Sequence, residues 1–179
     1  MKADVGVREA RRGDAAAVAE IQVRAWQSAY RGFMPAETLA ALPEGVGRFR
    51  EQWAEAAAAP ARHRLLVAVA EGIVTGFAAY SPATDPDQDE TAAELIALHV
   101  DPLRAREGHG SRLLAAAVDL LREDSYATVV TWVFTEDAAL RGFLEPAGWA
   151  PDEATRTLEL DEPVHMIRLH TNLSAEPAV

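Results

Sequence analysis

A glycine turn that opens a helix is the stretch of this sequence best suited to chemistry. The chain runs through Gly108-His109-Gly110 directly into a segment whose apolar residues recur at helical spacing. A helix N-terminus presents free backbone N–H groups and the positive end of the helix dipole, so it attracts anions. Glycine has no side chain to keep an anion away. The turn therefore predicts a site for a small molecule that carries phosphate.

Charge is distributed unevenly around this turn. The chain has a net charge of -11, yet Arg104, Arg106 and Arg112 surround the glycines. Non-specific nucleic-acid binding depends on neutralising phosphates with Lys and Arg, so the overall charge argues against a nucleic-acid partner. Arginines beside a helix N-terminus favour phosphate capture, and the alternative is a solvated basic turn.

The elements around the turn predict one α/β domain of the α+β type, built on a mixed sheet. The expected order is β-α-α-β-β-β-α-β-α-β-β, with a single domain over residues 1–172 and a frayed tail over 173–179. Strands are expected at 5–8, 65–70, 73–80, 94–100, 127–134, 156–160 and 164–169. Helices are expected at 14–30, 111–123 and 137–147, and the second helix of the order is expected to comprise 38–42 and 46–58.

Composition excludes several classes of protein. The chain has no cysteine, which removes disulfides, thiolate metal sites and a cysteine nucleophile. Its five histidines show no metal-ligand spacing, so no metal is expected. No apolar run is long enough for a transmembrane helix, and none resembles a signal peptide. We therefore expect a cytoplasmic protein without a membrane partner.

Two other phosphate-binding turns fit this sequence poorly. A P-loop needs a Gly-Lys-Ser/Thr run, and the chain has none. A dinucleotide-binding turn needs a third glycine or alanine where Leu113 stands, and it usually opens a βαβ unit. Here the turn follows a predicted hairpin in the middle of the chain.

Three segments resemble the GNAT acetyltransferase superfamily. The stretch from His99-Val100-Asp101-Pro102 to Leu114 is similar to its acetyl-coenzyme A motif. The stretch 137–149, DAALRGFLEPAGW, is similar to its second motif, and 25–39, AWQSAYRGFMPAETL, to its first helix. The resemblance implies a GNAT-like acyl-coenzyme A N-acyltransferase fold. It also implies direct attack by a primary amine, of a small molecule or peptide, on acetyl-coenzyme A. The alternative function is a non-catalytic acyl-coenzyme A binding module of the same fold.

The same resemblance implies roles for individual residues. Glu94 is the expected general base, and His99 is a second candidate. Leu144 stands where the family usually has the tyrosine that protonates the departing thiolate, so we expect slower chemistry. The residues expected to bind the cofactor are Leu98, His99, Val100, Ala105, Arg106, Glu107, Gly108, His109, Gly110, Ser111, Asp137 and Phe143.

The acceptor amine has weaker signals. Trp26 and Tyr30 are expected to line its pocket, although aromatic residues on an amphipathic helix are more often core. The acidic loop at 85–90 either attracts a cationic amine or is simply solvated. The last hairpin ends the predicted sheet and leaves an edge that proteins tend to cover, which makes a homodimer possible.

Overall fold

One seven-stranded mixed sheet organises the computed structural model, which describes residues 5–174. The strand order is β1-β2-β3-β4-β5-β7-β6. The strands are β1 (Val5–Glu9), β2 (Arg64–Ala70), β3 (Ile73–Pro82), β4 (Ala92–Val100), β5 (Thr128–Phe134), β6 (Ala150–Leu158) and β7 (Val164–Asn172). The helices are α1 (Ala15–Ala29), α2 (Ala36–Ala41), α3 (Val46–Ala56), α4 (His109–Glu123) and α5 (Ala138–Leu144).

The predicted mixed-sheet fold is confirmed, with one difference in element order. Three helices, not two, separate β1 from β2, because a 3-10 turn at Leu42–Gly45 divides α2 from α3. Pro43 in this turn has no backbone N–H and cannot continue a regular helix.

The C-terminal hairpin is longer than the sequence indicated. β6 begins at Ala150 and β7 runs to Asn172. The start of β6 lacks apolar alternation because β6 is the outer strand, and its pairing shifts register between Pro151 and Thr155. Leu173, the first residue of the tail predicted to fray, has a buried side chain, and its N–H donates to the Ala127 carbonyl at 2.8 Å. Residues 175–179 lie outside the described residues.

Helices cover both faces of the sheet. On one face α4 buries Leu113, Ala117 and Leu121, which the helical spacing had marked as apolar positions. On the other face α1 buries Val18 and Ile21 against the sheet. All five are at most 1 % exposed, so this packing fixes both helices. None of the helices in the described part of the chain is long and apolar enough to cross a membrane.

The two central parallel strands separate along their length. β4 and β5 pair only between Ala92–Glu94 and Thr128–Val130. Beyond this region β4 stays paired to β3 and β5 stays paired to β7, so the strands diverge. A cleft opens between them, and the edge of β4 that faces β5 has no strand partner after Glu94.

A bulge in β4 changes which side chains face the two layers. Ala97 pairs with Ala79 and Leu95 with Tyr80, which leaves Ile96 as the extra residue. Leu95 therefore packs with α4, whereas Ala97 packs with α1 and α3. In a regular strand two residues at this spacing would share a face. The bulge turns the end of β4 as it enters the cleft.

Candidate active site

A cavity of about 340 Å³ lies at the open end of this cleft. β4 contributes its last three residues, α4 contributes Gly110, and α5 closes the opposite wall. The lining residues predicted from the sequence are Tyr30, Leu98, His99, Val100, Arg106, Gly110, Asp137 and Phe143. Ala25, Ala29, Ala139 and Leu140 complete the wall; they are small or apolar residues that carry no chemical signal in the sequence.

The loop before α4 has the backbone shape of an anion cradle. Gly108 adopts a left-handed conformation with φ of 80° and precedes the first helical residue, His109. The first N–H groups of a helix have no acceptor within it, so those of residues 108–111 are free for an anion. Arg106 also has a positive φ, of 68°, which is strained for a residue with a side chain.

Side-chain contacts hold this loop in place. Arg104 pairs with Glu107 at 3.0 Å, and the Arg112 guanidinium donates to the Glu107 carbonyl oxygen at 2.9 Å. His109 is buried and its Nε2 lies 3.1 Å from the Glu107 carboxylate. Arg106, by contrast, contributes to the cavity wall. The structure thus gives the three arginines different environments, with only Arg106 facing the cavity.

Gly110 marks the closest approach of α4 to the cavity. A Cβ atom there would meet Phe143 Cζ at 3.6 Å and Val100 Cγ2 at 3.7 Å, which are ordinary contacts. The fold itself therefore does not require glycine at this position. The space that the missing side chain leaves belongs to the cavity, so the residue fits a role in close approach of a ligand.

A second, more open groove of about 520 Å³ runs along the outside of α4. Ser111 and Phe143 line it, and Phe143 also lines the first cavity. Exposed Ala105 lies outside both, in the extended backbone that leads into the loop. Of the predicted cofactor residues, Phe143 thus lines both spaces, and Gly110 and Ser111, at the start of α4, line one each.

Asp137 caps α5 at the cavity wall. Its carboxylate accepts a hydrogen bond from the Leu140 N–H at 3.0 Å. Burial raises the pKa of this carboxyl group above its ordinary value, although hydrogen bonds from backbone N–H groups oppose the shift. In the GNAT motif that 137–149 resembles, asparagine is usual at this position, and here the Asp137 carboxylate takes the capping role.

Glu94 lies deeper in the cleft than the cavity itself. It is the last β4 residue paired to β5, four residues before Leu98, or about 13 Å along the strand. Burial raises the pKa of Glu94, and the Asp85 carboxylate adds to this effect, while Arg156 and Arg168 oppose it. A carboxylate with a raised pKa is a stronger base, so its environment suits proton abstraction.

His99 is held by a neighbour from α1. The Trp26 indole N–H donates to His99 Nε2 at 3.2 Å, which requires an unprotonated nitrogen there. Burial lowers the pKa of His99 to about 4. The ring is therefore neutral near pH 7 and its Nε2 is already engaged. These contacts favour a packing role for His99 over its alternative role as general base.

The two predicted acceptor residues differ in their placement. Trp26 does not line the cavity; it packs against Phe49 and His99, with ring centroids at 5.7 Å and 6.4 Å. Tyr30 is 8 % exposed and does line it. The structure brings Tyr30 to the same cavity wall as the predicted cofactor residues.

The acidic loop between β3 and β4 is largely compensated by arginine. Arg168, which is 4 % exposed, donates to Asp85 at 2.9 Å and to Asp152 at 2.7 Å, and it also pairs with Asp87. Arg156 contacts Asp85 at 3.2 Å. Sequence reasoning missed Arg168 because its partners lie up to 83 positions away. Residues 5–174 hold no group of three or more acidic or histidine side chains arranged around a metal ion.

Leu144 belongs to the core and is absent from the cavity wall. It is 1 % exposed and packs in the same cluster as Leu113 and Val133. Its neighbour Phe143 is the residue that faces the cavity. Leu144 therefore contributes to packing and not to the cavity wall.

Comparison with known proteins agrees with the fold and gives the family. The model of the acetyltransferase (GNAT) family matches residues 19–149, which is most of the chain. The chain therefore belongs to the acetyltransferase (GNAT) family. The predicted enzyme class, an acyltransferase that depends on acetyl-coenzyme A, is confirmed with it.

Individual relatives are more distant. An uncharacterised N-acetyltransferase of Bacillus subtilis (strain 168), YuaI, is 28 % identical over 139 residues, which cover 76 % of this chain and 75 % of the relative. The PaiA N-acetyltransferase of Thermoplasma acidophilum, solved with coenzyme A, has a TM-score of 0.75 at 16 % identity, covering 94 % and 99 % of the two chains. A ribosomal-protein-alanine N-acetyltransferase from Brucella melitensis has a TM-score of 0.72 at 23 % identity, covering 93 % and 98 %. At these identities the solved structures support the fold alone.

Proposed function

We propose that this protein transfers the acetyl group of acetyl-coenzyme A to a primary amine of a small molecule or peptide, by direct attack. The observation that supports this most is the cleft between β4 and β5: its cavity adjoins the start of α4 at Gly110, and Glu94 lies on β4 where the two strands begin to diverge. It combines an anion cradle, an unpaired strand edge and a basic carboxylate. The reaction is expected to take place in the cytoplasm.

Three parts of the protein would each hold a different part of coenzyme A. The amides of residues 108–111 bind the diphosphate at the positive end of α4. The free edge of β4 at residues 98–100 pairs with the amide-bearing arm, as a neighbouring strand would. The outer groove beside Ser111 and Phe143 holds the nucleotide end. Bound acetyl-coenzyme A would supply the acetyl group as an activated thioester.

Glu94 supplies the base. An amine is protonated near pH 7 and must lose a proton before its nitrogen can attack a carbonyl carbon. Because Glu94 lies about 13 Å along β4 from Leu98, we propose that it takes this proton through water. The proton then passes to the bulk solvent.

A turnover assay tests this proposal. The purified protein is mixed with acetyl-coenzyme A and a panel of amines, and the release of free thiol is followed with a colorimetric reagent. We expect release that depends on at least one amine. Binding of coenzyme A without any turnover would contradict the transferase function and support the alternative, a non-catalytic binding module.

A further inference from the structure

The three tyrosines of this chain lie in different environments. The Tyr80 hydroxyl donates to Asp124 at 2.7 Å, and the Tyr126 hydroxyl donates to the Arg62 carbonyl at 3.0 Å. Neither residue lines the cleft cavity. Tyr30 lines it together with Leu98 and Gly110, which belong to the two elements that hold coenzyme A in the proposed function. The cavity therefore has one phenol in its wall among the described residues.

The ring of Tyr30 is fixed between two layers. Tyr30 is the residue that caps the C-terminus of α1, and its N–H donates to the Trp26 carbonyl at 3.0 Å. Its ring meets Phe134, at the end of β5, edge to face with 4.9 Å between centroids. Phe33 lies against it at 5.5 Å. These contacts hold the ring across the open end of the cleft, and a catalytic donor must be preorganised in this way.

Cleavage of the thioester is faster when the negative charge that develops on its sulfur is stabilised. When the amine nitrogen forms its bond to the carbonyl carbon, the carbon–sulfur bond breaks and its electron pair stays on sulfur. A hydrogen-bond donor stabilises this developing charge. Leu144 cannot donate, and it is buried away from the cavity. Any side-chain donor must therefore come from a different element.

We propose that the Tyr30 hydroxyl donates a hydrogen bond to the sulfur of coenzyme A as the thioester breaks. This role rests on the proposed function. Coenzyme A leaves as a thiolate, which takes its proton from water on release. The proton that the amine loses reaches water through Glu94, so protons and electrons balance without an oxidant or a further reactant.

The surroundings of Tyr30 explain why it donates a bond and does not transfer its proton. Burial raises the pKa of Tyr30 above its ordinary value, and the Asp137 carboxylate adds to the effect. Transfer of the proton to a thiolate whose conjugate thiol has a pKa near ~8.5 would therefore be unfavourable. The other ionisable side chains in the cavity wall are Arg106 and His99, and His99 is neutral near pH 7.

The first test is kinetic. Tyr30→Phe keeps the ring contacts and removes only the hydroxyl. We expect kcat to fall by about 10- to 100-fold, in line with the loss of a hydrogen bond to a charged group, with little change in the KM for acetyl-coenzyme A. Tyr126→Phe removes a hydroxyl that bonds a carbonyl outside the cavity and should leave kcat unchanged. A kcat for Tyr30→Phe within twofold of the natural protein overturns the proposal.

The second test does not need an amine, so it separates this proposal from the proposed function. The thiol of bound coenzyme A is titrated through the ultraviolet absorbance of its thiolate. A donor at sulfur stabilises the thiolate, so we expect the bound thiol to ionise about 1–2 pH units higher in Tyr30→Phe than in the natural protein. Equal midpoints in the two proteins overturn the role of Tyr30, even if acetyl transfer is observed. A shifted midpoint supports it, even if no amine in the panel is acetylated.

Discussion

Glu94 is surrounded by charges of both signs, and its protonation depends on their balance. Burial and Asp85 raise its pKa, while two arginines lower it. As the general base it must be deprotonated, so kcat should rise with pH through this raised pKa. We expect Glu94→Gln to lower kcat about 10²- to 10⁴-fold near pH 7.

The pH profile of this variant provides the decisive measurement. The fall in kcat caused by Glu94→Gln should become smaller at high pH, because there most of the amine substrate is already unprotonated. Glu123→Gln changes an exposed carboxylate at the end of α4 and serves as the matched control. An unchanged kcat for Glu94→Gln would remove Glu94 from the mechanism.

Leu144 shows how a family position can change its role. Because its side chain is fully enclosed in the core, Leu144→Tyr adds a ring where there is no space. We expect the substitution to cost about 1–3 kcal/mol of folding free energy, measured by chemical denaturation. It should not raise kcat. A variant that is as stable as the natural protein and faster would show that position 144 reaches the cavity.

At the scale of elements, three glycines distinguish a position where glycine is needed for packing from one where it is needed for ligand binding. A Cβ at Gly76 would lie 2.8 Å from the His99 carbonyl oxygen, so Gly76→Ala should destabilise the β3–β4 pair. A Cβ at Gly110 fits the fold but enters the cavity. Gly110→Ala should therefore keep its melting temperature and bind coenzyme A about tenfold more weakly, a loss of about 1.4 kcal/mol.

Calorimetric titration with coenzyme A measures this effect. Gly47→Ala is the matched control, because the α3 position has no atom near a new Cβ and lies outside the cleft. It should bind like the natural protein. Undiminished affinity in Gly110→Ala would contradict close approach of the cofactor at α4.

The Arg168 cluster joins the loop before β4 to β6 and β7. If the Arg168 guanidinium is removed, the partly buried carboxylates of Asp85 and Asp152 lose their ion pairs with it. Breaking a buried ion pair by removing one partner typically costs about 3–5 kcal/mol of folding free energy. We expect Arg168→Met to lower stability by this amount in chemical denaturation. Arg156→Met removes a more exposed partner of Asp85 and should cost at most about 1 kcal/mol. Equal effects of the two substitutions would contradict this account.

At the scale of the whole molecule, ligand binding should stabilise the fold. A ligand at about 100 times its dissociation constant contributes about 2.7 kcal/mol when it binds only the native state. For a chain of this size that corresponds to a rise of about 5–10 °C in Tm. Acetyl-coenzyme A should produce this rise in a thermal melt. No shift at millimolar cofactor would contradict cofactor binding altogether.

Assembly is a separate whole-molecule prediction. β6 is an outer strand of the sheet, and such an edge can pair with a second copy. We therefore expect a homodimer, with a mass in light scattering twice the 19.3 kDa of one chain. A solution that contains only the monomer across the micromolar range would contradict it.

The sequence by itself determined the fold class and the anion cradle, because both depend on local patterns. Alternation predicts strands, helical spacing predicts α4, and Gly108 and Gly110 mark a turn that only small residues suit. These signals lie within a few residues of each other. The resemblance to family motifs then added the expected cofactor and the hypothesis that Glu94 is the base, which the sequence patterns alone would not identify.

Only the tertiary structure decided which side chains share the cavity and which serve the core. Tyr30 and Leu98 are 68 positions apart and lie on different elements, yet both line the cavity. The bulge at Ile96 and the divergence of β4 from β5 arise from pairing between strands, so no local pattern shows them. The burial of Leu144 and the three-way pairing of Arg168 depend in the same way on contacts between distant segments.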